Sequence, residues 1–250
     1  MRVLSLILLA SVSLAVAQQR KRYDVYRAAS PIKIDAKLDE EAWKRAPSVG
    51  PFNFHLNPGD PANQQTTVKL LWDDENLYLG YEMDDAHISA YITERHGPVS
   101  KDDCVELFLS PNPDKVTNYY TFEINAIGTM LNRCKTDWWT GPPTWEPEGV
   151  RYQTTFQGQA KKDPSPSDRK WALEIAIPLA NFAHDAAHTP PHGGDVWRLN
   201  LNRLEGLDHP DSKDKRLGLS TWSPLGEGVT SFHSPEWFGE VRFLDATPPK

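Results

Sequence analysis

The sequence of 250 residues lacks the features that mark several protein classes. Basic residues do not dominate: 27 Lys and Arg stand against 34 Asp and Glu, so a broad phosphate-binding face for nucleic acid is not expected. No nucleophile elbow, zinc-protease motif or phosphate-binding loop is present. Strand–helix alternation and internal repeats are also missing, which argues against a Rossmann-like fold or a repeat protein. The length suits one or two globular domains.

Long apolar runs are almost as scarce. One extends from Val3 to Val16 behind Arg2, and it is shorter than the roughly 20 residues that a membrane-spanning helix needs. Ala15 and Ala17 then form a small-x-small site. This pattern predicts a signal peptide over residues 1–17, cleaved near Ala17. We therefore expect a secreted or periplasmic protein with no membrane segment after cleavage.

Cysteine is rare, with only Cys104 and Cys134 in the chain. An oxidising compartment would permit a disulfide between them. Cys104 opens one strand-like segment and Cys134 closes another. The pattern allows either a disulfide or two free buried thiols, because geometry decides between them.

What the sequence does contain is a series of short strand-like segments. They are rich in β-branched and aromatic residues and are separated by turn residues, which predicts an all-β sandwich or jelly roll. Ahead of them, "LDEEAWKRAP" predicts one short helix with Trp43 turned inward. The strand-like segments are TTVKLLW, LYLGYEM, CVELFLS, YYTFEIN, GTMLNRC, VRYQTTF, KWALEIAIP, VWRLNLNRL and FGEVRFL.

Three tryptophans fall in one proline-rich segment, "KTDWWTGPPTWEP". Its prolines exclude a regular helix or a central strand, so Trp138, Trp139 and Trp145 lie in a loop. They form either a binding surface or a plug over the core. Five other tryptophans sit in helix or strand patterns and are expected in the core. These are Trp43, Trp72, Trp171, Trp197 and Trp237.

Polar residues interrupt two of the apolar segments. Glu106 lies between Val105 and Leu107, and strand alternation sends it to the face opposite its apolar neighbours. Glu123 lies in the same setting between Phe122 and Ile124. Together with Asn125 and Arg133, these residues form either a polar groove or ordinary solvent-facing cross-strand pairs.

A histidine-rich segment reads "HDAAHTPPHGGD". His184, His188 and His192 are spaced by four residues, which would align neighbouring pairs on a helix as metal ligands. Pro190 and Pro191 prevent a continuous helix through His192. The segment therefore predicts a polar surface loop.

Seven segments in a fixed order resemble the family 9 carbohydrate-binding modules. The resemblance implies a two-sheet antiparallel β-sandwich, jelly-roll-like, that binds sugar and has no catalytic machinery. It predicts a monomeric domain over residues 31–245, preceded by an extension over residues 18–30, with a role in carbohydrate catabolism. The segments are IKIDAKLDEEAWKRAP, TTVKLLWDDENLYLGYEMDD, DDCVELFLSPNPD, YYTFEINAIGT, WALEIAIPL, STWSP and FHSPEWFGEVRF.

The resemblance also assigns roles to single residues. Members that bind xylan or cellulose hold a terminal sugar between two tryptophans. Trp222 matches one of these, whereas Ser100 stands at the position of the other. Glu106 matches the glutamate of the family's VELF segment, and Glu123 stands where those members carry an arginine that contacts sugar. Stacking would then depend on Trp222 and on the tryptophan-rich loop.

Structural calcium is known in the family. Two pairs of adjacent aspartates beside strands could supply its oxygen ligands, although no cofactor is required. These are Asp84, Asp85, Asp102 and Asp103.

Two alternative functions remain open. Some related sandwiches hold heme between their sheets, which would need axial His or Met ligands facing the interior; Met83 and Met130 are the methionines on strands. A glycoside hydrolase would use Glu106 and Glu123 as its two carboxylates.

Overall fold

The computed structural model describes residues 20–50, 52–54, 65–134, 144–161, 165–205 and 218–249. These residues are mostly β, with one α-helix, α1, at Glu41–Arg45 and single turns of 3₁₀ helix at Val99–Lys101, Pro113–Lys115, Leu179–Phe182 and Pro235–Trp237. Within those ranges, no helix is both long enough and apolar enough to cross a membrane. The strands are β1 Arg22–Arg27, β2 Asn53–Phe54, β3 Thr66–Trp72, β4 Asn76–Asp84, β5 Cys104–Ser110, β6 Tyr120–Asn125, β7 Met130–Cys134, β8 Arg151–Gln157, β9 Lys170–Pro178, β10 Val196–Leu204, β11 Leu219–Thr221 and β12 Gly239–Leu244.

The described strands form one continuous sheet. Its order is β7-β6-β5-β10-β12-β1-β3-β4-β9-β8, with β11 paired to β10 and to β2. Most neighbours are antiparallel, but β1 runs parallel to both β12 and β3. The prediction of a mostly β fold is confirmed. The prediction of two separate antiparallel sheets is not, because β1 and β12 join the two halves by hydrogen bonds.

Strand β1 lies in the segment that the sequence analysis assigned to an extension, residues 18–30. Tyr23 and Val25 are buried while the residues between and around them are more exposed, so the strand alternates as a half-buried strand does. The sequence pattern did not predict this strand, because arginine and aspartate occupy its exposed positions. Residues 20–30 belong to the folded domain, and the predicted signal peptide lies outside the described residues.

The sheet curls so that its two halves enclose one core. Apolar side chains of β3, β4 and β9 share a buried cluster with those of β5, β6 and β10. Phe243 of β12 packs edge-on against both Trp72 and Trp197, with ring centroids 5.3 and 4.9 Å apart. Arg203 of β10 reaches across to the Thr66 hydroxyl of β3 at 3.1 Å. The arrangement is sandwich-like although the sheet is continuous.

Helix α1 packs on the outer side of the sheet through Trp43, which is fully buried as predicted. The indole Nε1–H donates to Glu174 Oε1 at 2.7 Å, and the backbone N–H groups of Asp35 and Ala36 donate to Oε2 at 2.8 and 2.9 Å. Burial raises the pKa of Glu174, and these donors oppose that effect. One buried carboxylate of β9 thus fixes the helix and the loop before it.

Candidate functional site

Two glutamates lie on the same face of neighbouring strands. Val105 on β5 and Phe122 on β6 belong to the core, and alternation places Glu106 and Glu123 on the opposite side. The side of β5, β6 and β10 that carries these glutamates and Asn202 is called the polar face below. This is the orientation that the sequence pattern predicts.

A row of polar side chains crosses the polar face. Glu106 is the direct cross-strand partner of Glu123 on one side and of Asn202 on the other. Such partners have Cβ atoms about 4.5–5.5 Å apart. Asn202 Nδ2 donates to Glu106 Oε2 at 3.3 Å, and the Thr221 hydroxyl donates to Asn202 Oδ1 at 2.8 Å. The two glutamates are only 5% and 6% exposed, so the row lies at the floor of the face.

Burial controls the charge of the glutamate pair. It raises the pKa of Glu106 well above the usual range, and the neighbouring Glu123 carboxylate adds to this effect. Burial also raises the pKa of Glu123 to about 7, although the positive charge of Arg133 works in the opposite direction. Two carboxylates at this separation disfavour double ionisation. The pair therefore holds a proton near neutral pH and can both donate and accept hydrogen bonds.

Part of this face keeps unused hydrogen-bonding capacity. The Glu123 carboxylate accepts no hydrogen bond from any residue that the structure describes. The Thr121 hydroxyl, two residues earlier on β6, is buried without a partner. Buried polar groups are almost always paired with protein, water or ligand. Glu123 keeps a small exposed fraction and is available to a ligand that carries hydroxyls, whereas the Thr121 hydroxyl is fully enclosed.

An aromatic wall, consisting of Phe108, Tyr119, His233 and Phe238, borders the polar face. The His233 ring stacks on Phe108 with centroids 4.7 Å apart, and its Nδ1 lies 3.2 Å from the Tyr119 hydroxyl. Burial, with a smaller effect from Arg133, lowers the pKa of His233 to about 4. The imidazole is therefore neutral at pH 7.

The sequence pattern did not identify His233 or Asn202 as site residues. Each follows an aromatic or apolar residue, and this position gave little indication of a role in a site.

Trp222 does not reach the polar face. Its neighbour Thr221 points there, as its bond to Asn202 shows, so alternation turns Trp222 into the core. The indole is 1% exposed and lies against Gly239, where an added Cβ would come within 2.4 Å of Cζ3. Its buried position gives no support to the sugar-stacking role that the resemblance implied.

The tryptophan-rich loop is only partly described. Trp145 packs against Tyr120 and Phe122, with ring centroids 4.8 and 5.6 Å apart. Both partners face the core, so Trp145 covers the side of β6 opposite the polar face. Trp145 therefore packs over the core, which is the second of the two alternatives given for this segment. Trp138 and Trp139 lie outside the described residues.

Asn125 is a structural residue. Its Nδ2 donates to Asp102 Oδ2 and to the carbonyl of Ile92, both at 2.8 Å, and its Oδ1 accepts the Thr129 N–H at 2.7 Å. The side chain is fully buried. It holds the turn after β6 and the loop before β5, and it has little capacity left for a ligand.

The two cysteines are free thiols, so the disulfide that the sequence allowed is not formed. Cys104 is level with Asn125 in the register of β5 and β6, whereas Cys134 is level with Tyr120. Five residues separate these levels, roughly 17 Å along the strands. A disulfide requires Cα atoms within about 7 Å. The strand register excludes the bond.

Two of the predicted calcium ligands anchor a loop instead. Asp102 Oδ2 accepts the backbone N–H groups of Tyr91 and Ile92 at 3.1 and 2.8 Å. Asp103 accepts the backbone N–H of Ser89. These bonds pin the segment between β4 and β5 against the start of β5.

The other predicted calcium ligands, Asp84 and Asp85, contact the buried Arg203. Carboxylate oxygens of Asp85, Asp103 and Glu205 approach within 4.8 Å of one another. Arg203 lies among them: its Nη2 is 3.2 Å from Asp85 Oδ2 and its Nε is 2.6 Å from Glu205 Oε1. Nη2 also donates to the Asp84 carbonyl at 2.9 Å. Because the guanidinium already supplies the positive charge, these residues do not fit a calcium site.

Solved structures with the same fold include carbohydrate-binding proteins. A protein from Bacteroides uniformis ATCC 8492, with a suggested carbohydrate-binding role, has a TM-score of 0.69 and 21% identity, covering 90% of this chain and 100% of its own. A family 9 module from Caldicellulosiruptor kristjanssonii in complex with cellotriose has a TM-score of 0.59 and 18% identity, covering 90% and 94%. The glucose complex of a family 9 module from that organism has a TM-score of 0.61 and 18% identity, covering 92% and 99%.

The sequence itself settles the family. No curated protein matches it significantly. The profile of carbohydrate-binding family 9 matches residues 60–243, which is most of the chain. Modules of this family bind carbohydrate and are not catalytic. The chain belongs to carbohydrate-binding family 9.

Proposed function

We propose that the protein binds a poly- or oligosaccharide on its polar face and thereby supports carbohydrate catabolism. It would act as a secreted or periplasmic protein, released by cleavage near Ala17. The observation that carries the proposal is the row formed by Glu123, Glu106 and Asn202. Two nearly buried carboxylates and an amide converge there, and one carboxylate has no described protein donor.

The chemistry of the polar face suits a sugar. The hydroxyls of a pyranose ring can both donate and accept hydrogen bonds, and its C–H face packs on aromatic rings. A hydroxyl can donate to Glu123 while accepting from the proton that the pair retains. The neutral ring of His233 offers a surface of low polarity beside these groups.

The expected ligand class is argued from the sugars that structural relatives bind and from one residue at which this chain differs from the family pattern. Structural relatives bind cellotriose and glucose, so these sugars are the first probes. The familiar arginine of the family is replaced by Glu123, which lowers the number of fixed donors in the site. We therefore expect recognition to depend on hydroxyl groups that donate to the protein.

Stacking on the ligand would come from the tryptophan-rich loop. Trp222 and Trp145 are engaged in the core, as described above. The loop follows directly after Arg133 and Cys134 at the end of β7, so Trp138 or Trp139 can supply the aromatic surface. Replacing each with alanine should weaken binding of the sugar.

A glycan array followed by calorimetry tests the proposal. Glu106→Gln and Glu123→Gln should each weaken binding of the best ligand about tenfold or more, because each removes either the proton or the negative charge that the glutamate pair offers to a sugar hydroxyl. Glu82→Gln, on an exposed position of β4, serves as the matched control and should bind normally. Unchanged affinity in both polar-face variants would reject this site. Failure of every glycan to bind would reject the function.

The same preparation tests the two alternatives. A Soret band in its absorption spectrum would indicate heme held near Met83 or Met130, which both lie in the core. Release of reducing sugar that disappears in the Glu106→Gln variant would indicate a hydrolase. We expect neither signal.

A further inference from the structure

The histidine-rich segment follows the 3₁₀ turn Leu179–Phe182 and leads into β10. As predicted, its prolines exclude a helix and the segment is an exposed loop. The loop nevertheless brings His188 and His192 together. Their rings are stacked with centroids 3.9 Å apart and an angle of 23° between planes.

Asp195 completes this cluster. Its Oδ2 lies 2.9 Å from His188 Nδ1 and accepts the backbone N–H of His192 at 2.8 Å. Donor atoms of His188, His192 and Asp195 all lie within 4.8 Å of one another. The three residues come from one loop, so no movement between elements is needed to assemble them.

The end of the sheet holds the loop in place. Gly194 N–H donates to the Phe243 carbonyl at 2.8 Å, and Phe243 N–H donates to the Asp195 carbonyl at 2.9 Å. Asp195 N–H in turn donates to the His192 carbonyl at 3.0 Å. The backbone around the cluster is therefore fixed to β12, which prepares the side chains for a ligand.

We propose that His188, His192 and Asp195 bind a divalent first-row transition metal, with Zn²⁺ and Cu²⁺ as the fitting ions. Imidazole nitrogen and carboxylate oxygen are their preferred donors, whereas calcium takes oxygen ligands alone. A tetrahedral zinc site holds its donors roughly 3.4 Å apart, which needs only side-chain rotation from the present spacing. His188 is 45% exposed and Asp195 23% exposed, so both can move and an ion can enter.

Three protein donors leave at least one coordination position for water. The cluster shares no residue with the polar face, so metal binding and sugar binding are separable. An ion that bridges the loop would also stabilise the folded state, because it binds that state in preference to the unfolded chain.

The test uses tag-free protein with Zn²⁺ in calorimetry and Cu²⁺ in electron paramagnetic resonance. We expect one ion per chain, splitting from two nitrogen ligands and a raised Tm with Zn²⁺. His188→Ala and His192→Ala should each reduce affinity at least tenfold. His184→Ala is the matched control, since His184 lies in the same loop with a side chain 91% exposed; it should bind as the unmodified protein does.

Three outcomes would overturn the proposal: no ion bound at millimolar Zn²⁺, unchanged affinity in the His188→Ala/His192→Ala double variant, or an equal loss in His184→Ala. Circular dichroism and the metal-free Tm show that the variants fold. Both rings are at the surface, so we expect no change in either measurement.

Discussion

Among single residues, Glu123 is expected to make the stability of the protein depend on pH. Its pKa is about 7 in the fold against 4.5 for an ordinary glutamate. Between these values the unfolded chain has lost a proton that the folded chain retains, so the free energy of unfolding falls as pH rises. The expected loss is on the order of 3 kcal/mol between pH 4.5 and 7.

His233 changes the pH dependence of stability in the opposite direction. The contribution of Glu123 must therefore be measured as the difference in stability between the protein and a variant that lacks this carboxylate. Its lowered pKa makes stability fall as pH drops below about 6.5, toward 4. Urea unfolding at several pH values should therefore compare the protein with Glu123→Gln. As pH rises from 5 to 8, we expect the unmodified protein to lose stability relative to the Glu123→Gln variant. A difference that is independent of pH would contradict the assigned environment of Glu123.

Trp222 gives a second prediction for a single residue. Because it is buried in the core, Trp222→Ala should lower stability by about 3–5 kcal/mol through the cavity it leaves. Trp222→Phe, which keeps most of the apolar volume, should cost much less. Calorimetric sugar binding by the phenylalanine variant should be normal. Loss of binding at unchanged Tm would restore a direct role in stacking.

The sequence predicted residue orientation where strand alternation was regular. It placed Glu106 and Glu123 on one face because apolar residues flank each of them. The stacking role of Trp222 gains no support from its buried position, because the resemblance carries a residue type to a position but not the face on which the side chain lies. Asn202 and His233 were missed because their contacts come from strands and turns that are distant in sequence.

At the level of elements, Glu174 ties α1 and its preceding loop to β9. Glu174→Gln keeps the shape but replaces one acceptor oxygen with an amide donor, which faces the N–H groups of Asp35 and Ala36 or the indole of Trp43. We expect a loss of about 1–3 kcal/mol. Thermal unfolding should show it, with the exposed Glu82→Gln as control. An unchanged Tm would mean that these donors find other partners.

Strands were predicted better than their arrangement. Segments such as those of β5, β9 and β10 carry their own signal, since their apolar residues are dense and turn residues bound them. Strand β1 has only Tyr23 and Val25 as buried apolar residues and was read as an extension. The order of strands depends on pairing between distant segments, which local composition does not encode.

For the whole molecule, β1 joins the two halves of the sheet. A chain beginning at Ala28 would lack its pairing with β12 and β3 and expose the edges of both. We expect such a chain to be insoluble or unfolded, whereas a chain beginning at Arg20 should fold. Circular dichroism and size-exclusion chromatography distinguish them. A folded, monomeric product from the shorter chain would show that β1 is dispensable.

Arg203 leads to a prediction about metal removal. Its guanidinium neutralises the carboxylates where calcium was predicted, so excess EGTA should leave the Tm unchanged. Arg203→Met should lower stability by about 3–5 kcal/mol, because buried carboxylates lose their partner. A Tm that falls in EGTA and recovers with Ca²⁺ would contradict this account.

The parallel pairing of β1 with β12 also sets the order of folding events. Arg22 is aligned with Glu240, so β1 pairs with a strand that is very distant from it in sequence. Closing so long a loop costs entropy before any contact repays it, which slows folding. The β1–β12 pair can form only once residues 239–244 have been synthesised. The joining of the two halves of the sheet is therefore expected to come late in folding.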